Sequence, residues 1–156
     1  VIRLSRITDY GIVLMAHLAA QAPESQHSAR GVAEATQIPL PVASKVLKAL
    51  ARAGLLVSQR GARGGYALAR APERISVAEM ITAIEGPIGL TECAMHPGHC
   101  MQEPSCHVRE PWQQINQVVR RALGGVTLAD LARQRSPGQL LPIHGLLSSA
   151  AQPERR

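Results

Sequence analysis

Phenylalanine is absent from this 156-residue chain, and Tyr10, Tyr66 and Trp112 are its only aromatic residues. Any core must therefore be aliphatic, and a hydrophobic content of 46% is enough for one ordinary domain or a small domain with an extension. No run approaches the roughly 18 uninterrupted apolar residues of a membrane span. No secretory leader with an apolar centre and a cleavage site opens the sequence, so a cytoplasmic protein with no membrane partner is expected. Nucleophile-and-base signatures such as G-x-S-x-G and H-E-x-x-H are missing, and no enzymatic role is expected. Cysteine is scarce and odd in number: Cys93, Cys100 and Cys106 are the whole complement. A structural disulfide framework prefers even counts and oxidising compartments, which leaves free, metal-bound or redox-active thiols.

Charge is unevenly placed. Residues 1–71 hold nine Lys or Arg against three Asp or Glu, whereas residues 72–156 hold eight of each, so the first part carries the entire net charge of +6. Such an excess points to a polyanion, nucleic acid above all, with a merely solvated basic face as the alternative.

The apolar spacing predicts a first helix over about Ile7 to Ala20, with Leu4, Ile7, Leu14 and Leu18 on one side. Ser28 is suited to cap a second, short helix through about Thr36, whose apolar side includes Val32 and Ala35. In "QIPLPVASKVLKALARAGLL", Pro41 fits a first helical turn and Gly54 a helix stop. Ala43, Val46, Leu47 and Leu50 fall at i, i+3, i+4 and i+7 and bury one face, while Ser44, Lys45, Lys48 and Arg52 face away. Two short helices with a basic outer face on the second form a helix-turn-helix pattern, whose second helix enters a DNA major groove. Next, "LLVSQRGARGGYALAR" reads as a hairpin with a cationic, glycine-rich tip that includes Arg60 and Arg63, the wing of a winged helix. No Walker lysine and hydroxyl follow those glycines, which argues against a nucleotide loop.

Ser76 and Glu79 stand at capping-box spacing and Gly86 closes a fourth helix. A loop spans about Pro87 to Glu110, and Pro111 then restarts a helix with Trp112, Ile115, Val118, Val119 and Ala122 in a stripe too apolar for an isolated surface helix. Gly124-Gly125 stops it. Thr127 and Asp130 resemble a second capping box, for a short helix through about Gln134, after which the composition reads as a disordered tail. The expected organisation is a DNA-binding unit at 1–86, a cysteine loop at 87–110, a long helix with its short successor at 111–135, and a tail at 136–156. The expected fold class is mainly α with a small β wing.

All three cysteines lie in "CAMHPGHCMQEPSCHVRE", separated by six and five residues and without helical periodicity. Loops can bend three thiolates onto one centre. Soft thiolates suit an iron–sulfur cluster, although a cluster commonly needs four protein ligands. A zinc site of three cysteines with His96, His99 or His107 is a second reading, and reduced or redox-sensing thiols are a third.

A winged helix, a further helix, a three-cysteine loop and a long apolar helix in that order resemble the bacterial winged-helix iron–sulfur repressor family typified by IscR and NsrR. The resemblance rests on "RLSRITDYGIVLMAHLA", on "RGARGGYALA" followed by "ISVAEMITAIEG", and on the cysteine trio before "WQQIN". The opening and "LTEC...WQQINQVVRRAL" look most like the branch regulating the SUF iron–sulfur assembly operon. This resemblance implies a homodimer packed through the 111–123 helices, an iron–sulfur cluster in the loop (2Fe-2S ahead of 4Fe-4S, with zinc as the alternative), and a roughly palindromic double-stranded DNA operator. Lys45, Lys48, Arg52, Arg60 and Arg63 would then meet phosphates and grooves, and Ser44 and Lys45 base edges. Some members of the family supply a fourth ligand from a histidine three residues beyond the last cysteine, where this chain has Arg109. Asp9 matches the aspartate that NsrR-type members contribute from the partner's first helix, and it is preferred to His107 as the fourth ligand. The implied function is repression of cluster-assembly genes tuned by cluster status. A nitric oxide or redox sensor of the same family, or an iron–sulfur carrier without specific DNA binding, are the alternatives.

Overall fold

The computed structural model describes residues 3–22, 25–61 and 64–133, so Arg63, Gln134 and the expected tail at 136–156 lie outside the described residues. Helix α1 (Arg6–Ala19) is capped by the Ser5 hydroxyl, which accepts from the Thr8 N–H. Its core side carries Thr8, Gly11, Leu14, Met15 and Leu18. Leu4 and Ile7 are instead 44% and 40% exposed, contrary to the sequence expectation. In the first turns the buried side is taken by Thr8 and Gly11, and Ile7, about 100° round the helix from Thr8, is left at its edge.

Helix α2 (Ala29–Thr36) is capped by Ser28 and leads through Gln37, at a left-handed φ of 57°, into α3 (Leu40–Arg52). Val32 and Ala33 are its buried residues, and Ala35 is exposed, contrary to the sequence expectation, because it lies about 110° round the helix from their mean direction. Helix α3 ends in a Schellman closure: Gly54 adopts φ 74°, its N–H donates to the Ala51 carbonyl, and the Leu55 N–H donates to that of Leu50. Leu55 thereby turns inward, 2% exposed, and launches the hairpin.

Strands β1 (Leu56–Gln59) and β2 (Gly65–Leu68) pair antiparallel with Leu56 opposite Leu68 and Ser58 opposite Tyr66. His27 bridges the outer edge of β2 through two backbone hydrogen bonds with Tyr66, of 3.0 and 2.8 Å. A Cβ at Gly65 would meet the His27 carbonyl at 2.5 Å, so glycine lets the wing lie against the α1–α2 connection.

Helix α4 (Val77–Glu85) starts with the capping box expected at Ser76 and Glu79 and ends before Gly86 at φ 92°. The following loop contains the one-turn helix α5 (Glu92–Met95) and a 3-10 turn at Glu103–Ser105. Helix α6 runs over Arg109–Gly124, two residues ahead of the expected start at Pro111. Proline is tolerated there because a first-turn N–H has no intrahelical partner to lose. Helix α7 (Leu128–Ala132) carries the second capping box, from Thr127 and Asp130.

The core is aliphatic, as the absence of phenylalanine requires. Leu14 and Met15 of α1, Ala43, Leu47 and Leu50 of α3, Ile75, Met80 and Leu128 are all fully buried. Helix α1 packs against α2, α3, α4 and α7 and is the central scaffold. Helix α7 is sewn back onto the winged helix by a bridge between Ser76 and Thr127, with Val77 N–H on the Val126 carbonyl at 2.9 Å and Leu128 N–H on that of Ile75 at 2.8 Å. The two capping boxes therefore sit side by side. Ser76→Ala leaves the Glu79 N–H without its cap and is expected to cost about 1 kcal/mol in a denaturant titration; an unchanged midpoint would show that the cap adds nothing.

Candidate nucleic-acid interface and cysteine loop

Helix α3 divides cleanly. Ala43, Val46, Leu47 and Leu50 are at most 1% exposed, Ser44 is half-buried, and Lys45, Lys48 and Arg52 are exposed. Arg60 is exposed at the base of the wing tip. Between α3 and the hairpin runs an open groove of about 270 Å³ lined by Lys48, Ala51, Arg52, Ser58 and Tyr66. Ser58 and Tyr66 are cross-strand partners on the hairpin face whose inner end, Leu56 and Leu68, rests on the core. The outer end of that face thus brings two hydroxyls alongside two cations, with no carboxylate in the lining. Sequence reasoning missed Ser58 and Tyr66. Their pairing depends on hairpin register, which the length of a glycine-rich turn leaves open.

The cysteine loop is anchored at both ends. Asn116 of α6, 5% exposed, accepts the Leu90 N–H on Oδ1 at 3.1 Å and donates from Nδ2 to the Ile88 carbonyl at 3.4 Å. A buried amide that satisfies two backbone groups fixes the start of the loop, just beyond α4, against α6. Farther on, Glu103 accepts the Gly98 N–H at 2.7 Å and pairs with Arg109 at 2.7 Å. Arg109, at the position of the alternative histidine ligand, therefore has a structural partner of its own.

Cys93 lies on α5 with its sulfur 3.3 Å from the Thr91 hydroxyl, Cys100 follows the next turn, and Cys106 directly follows the 3-10 turn. All three are half-buried and unpaired. Asp9, in the first turn of α1, and His107 are exposed. Among the described residues no three His, Cys, Asp or Glu side chains come together as a group able to hold a metal ion. One chain thus collects the thiols on one anchored loop but does not assemble all five candidate ligands around a point. Three uncommitted soft donors fit an iron–sulfur or zinc centre in kind, and Arg109, always protonated, does not.

Next to Asp9, Thr8 is fully buried and joins α1 to α4. Glu85 Oε1 accepts the Thr8 hydroxyl and, at 2.9 Å, the Ser5 N–H. The Thr8 hydroxyl first, and the Ser5 N–H next, hold the Glu85 carboxyl below the usual carboxylate range. A depressed folded pKa adds stability above the unfolded value, near pH 4.3, and that stability is lost as pH falls through the folded pKa. Glu85→Gln should flatten this acid limb of a melting-temperature profile; an unaltered limb would assign it to other carboxylates.

On α6, Trp112, Ile115 and Val118 are 40%, 46% and 48% exposed, and Val119 and Ala122 are half-buried. This apolar stripe faces away from the winged helix while Asn116 faces the loop. Among the described residues no helix is long and apolar enough to cross a membrane.

A family model described as Rrf2, iron-dependent transcriptional regulator, matches residues 4–134. The HTH-type transcriptional regulator CymR of Bacillus subtilis is 31% identical over 130 residues, 83% of this chain and 89% of that protein. The HTH-type transcriptional regulator NsrR of Halalkalibacterium halodurans is 30% identical over 140 residues, 89% and 96% of the two chains. Among solved structures, that of B. subtilis CymR, described as the global cysteine regulator, superposes with a TM-score of 0.66 at 30% identity, covering 85% of this chain and 97% of the other. T. potens IscR superposes with a TM-score of 0.65 at 27% identity, covering 90% and 93%.

Proposed function

Because this chain belongs to the Rrf2 family of transcriptional regulators, and is a DNA-binding regulator rather than an enzyme, we propose that it is a homodimeric repressor whose operator binding follows iron–sulfur status. The observation that carries this reading is the placement of three unpaired, half-buried thiols on a loop pinned between the DNA-binding unit and the exposed apolar helix. In this reading residues 1–86 bind DNA, 87–110 sense, and 111–135 dimerise. Family members such as NsrR and IscR use iron–sulfur clusters, and a 2Fe-2S cluster is the form proposed here.

Cys93, Cys100 and Cys106 would hold the cluster, with Asp9 of a second chain ahead of His107 as the fourth donor. When bound, the cluster supplies a crosslink that iron scarcity, oxidants or nitric oxide can remove. The residues of the chain do the rest. Asn116 keeps the loop's origin fixed on α6, and Glu85 fixes the end of α4 to the helix start that carries Asp9. Ordering the loop can alter DNA affinity only through a difference between the two dimer states; Asn116 ties the loop to α6, and Glu85 ties α4, from which the loop leaves, to α1. The opening segment and the "WQQINQVVRRAL" stretch support the SUF assembly operon as the target.

A roughly palindromic operator follows from two recognition helices related by a two-fold axis. Ser44 and Lys45 would read base edges, and Lys48, Arg52, Arg60 and Arg63 would meet phosphates. Lys48→Ala is expected to reduce the salt dependence of binding by about 0.9 in log–log slope. Tyr66→Phe and Ser58→Ala remove neutral donors and should each weaken binding about fivefold, from about 1 kcal/mol per hydrogen bond, with the slope unchanged. Unaltered affinity in both would remove the groove from the DNA footprint.

The deciding measurement is iron, zinc and acid-labile sulfide per chain on anaerobically purified protein, with the visible spectrum and operator affinity before and after cluster removal. Matching iron and sulfide, with tighter operator binding by the loaded form, is the expected result. Zinc held by the cysteines without sulfide, seen as zinc lost in the Cys93→Ser/Cys100→Ser/Cys106→Ser chain, or equal affinity of the two forms, would overturn the sensor.

A further inference from the structure

His96-Pro97-Gly98-His99 forms a turn whose middle pair dictates its shape. Proline presets φ at the second position, and Gly98 takes φ 85° at the third, as a type II turn demands. The His99 N–H closes the turn on the His96 carbonyl at 3.2 Å. Glu103 braces it from across the loop by accepting the Gly98 N–H, and Arg109 neutralises Glu103. First and fourth positions of such a turn present neighbouring side chains, and the two imidazoles lie with centroids 5.4 Å apart and planes inclined by 37°. Both histidines are exposed, and among the described residues neither ring makes a side-chain hydrogen bond.

That spacing has a chemical meaning. Zinc binds one nitrogen of each imidazole at about 2.0–2.1 Å, so two rings at a tetrahedral angle have centroids about 5 Å apart. We propose that His96 and His99 form a two-histidine site for a zinc-class divalent cation, completed by water and distinct from the three-cysteine centre. Neutral imidazoles select such borderline cations over magnesium or calcium, which prefer oxygen. Among the described residues neither the thiols nor the rings belong to any group of three donors, so the pair is proposed as a site of two protein ligands. With only two protein ligands the site is open and exchangeable. Its occupancy would stiffen the turn between Cys93 and Cys100, giving zinc access to the sensing loop without consuming a thiolate.

The site does not depend on what the cysteines bind. Full-length chain with Cys93→Ser, Cys100→Ser and Cys106→Ser together, its fold verified by circular dichroism, would be titrated with zinc by calorimetry. One equivalent should bind, weakened at least about tenfold by His96→Gln or His99→Gln. No binding, or binding indifferent to both substitutions, would overturn the proposal. A second test spares the cysteines: cobalt(II) added to the native chain should include an equivalent without thiolate charge-transfer absorption, lost in the His96→Gln/His99→Gln double variant. Absence of that equivalent, or its persistence in the double variant, would equally defeat the assignment.

Discussion

Ile115→Glu combined with Val118→Glu is expected to make the chain monomeric and to weaken operator binding by at least about a hundredfold. Trp112, Ile115 and Val118 recur at i, i+3 and i+6 on α6 and keep 40–48% of their surface exposed in the single chain. Burying one large apolar side chain contributes about 1.5–3 kcal/mol, and a two-fold interface counts every residue twice. Each glutamate removes that gain and brings two carboxylates toward the axis, where desolvation opposes them. Loss of the dimer also loses the effective concentration of the second half-site, a factor of about 10²–10⁴. Sedimentation equilibrium beside an operator titration at fixed salt reads both effects. A variant that stays dimeric would assign the interface to another surface. One that turns monomeric yet binds the full operator undiminished would refute recognition by paired winged helices.

Cys100→Ser carries the second large effect, complete loss of retained iron and sulfide. Serine nearly matches cysteine in shape, so the half-buried position accepts it, but its hydroxyl stays protonated and hard where a soft thiolate is needed. Cys100 lies between the braced turn and the 3-10 turn, its carbonyl accepting the Glu103 N–H at 3.0 Å, and the chain's other two thiols are already counted as ligands, so none is left to replace it. Operator affinity of the variant should equal that of cluster-free native protein, whichever direction the change takes. Iron and sulfide at native stoichiometry would strike Cys100 from the ligand set. A cluster-free variant that binds as tightly as the loaded native protein would separate the loop from DNA control.

What the sequence disclosed follows a physical division. Ser76 with Glu79 and Thr127 with Asp130 were legible because a capping box closes within four residues. The burial of α3 was legible because a helix fixes its own periodicity, and Ala43, Val46, Leu47 and Leu50 obey it. The link from Thr8 to Glu85 spans 77 residues and has no local signature. Asn116 inside "WQQINQ" looked like one polar residue among several, and only the return of Ile88 and Leu90 to α6 gives it a role. Within the cysteine loop, residue types announced the chemistry while the absence of any period left the arrangement unstated. Pro111 drew the expected helix start to itself, although a first turn accepts proline at more than one position. At the start of α1, Leu4 ahead of the cap and Ile7 in the first turn were grouped with the core by spacing alone, and the observed packing turned them out.

The seam between Ser76 and Thr127 has a mechanical consequence. Helix α6 is moored at its middle through Asn116 and at its far end through α7, which is stitched to Ile75 and Val77. In a dimer it therefore acts as a caliper arm, not a tether. The separation of the two recognition helices in such a dimer would be set by where Leu128 seats in the core, and operator spacing would be a dimension of this packing. A residue inserted between Gly125 and Thr127 would let out the arm's far mooring and retune the preferred half-site spacing before it abolished binding.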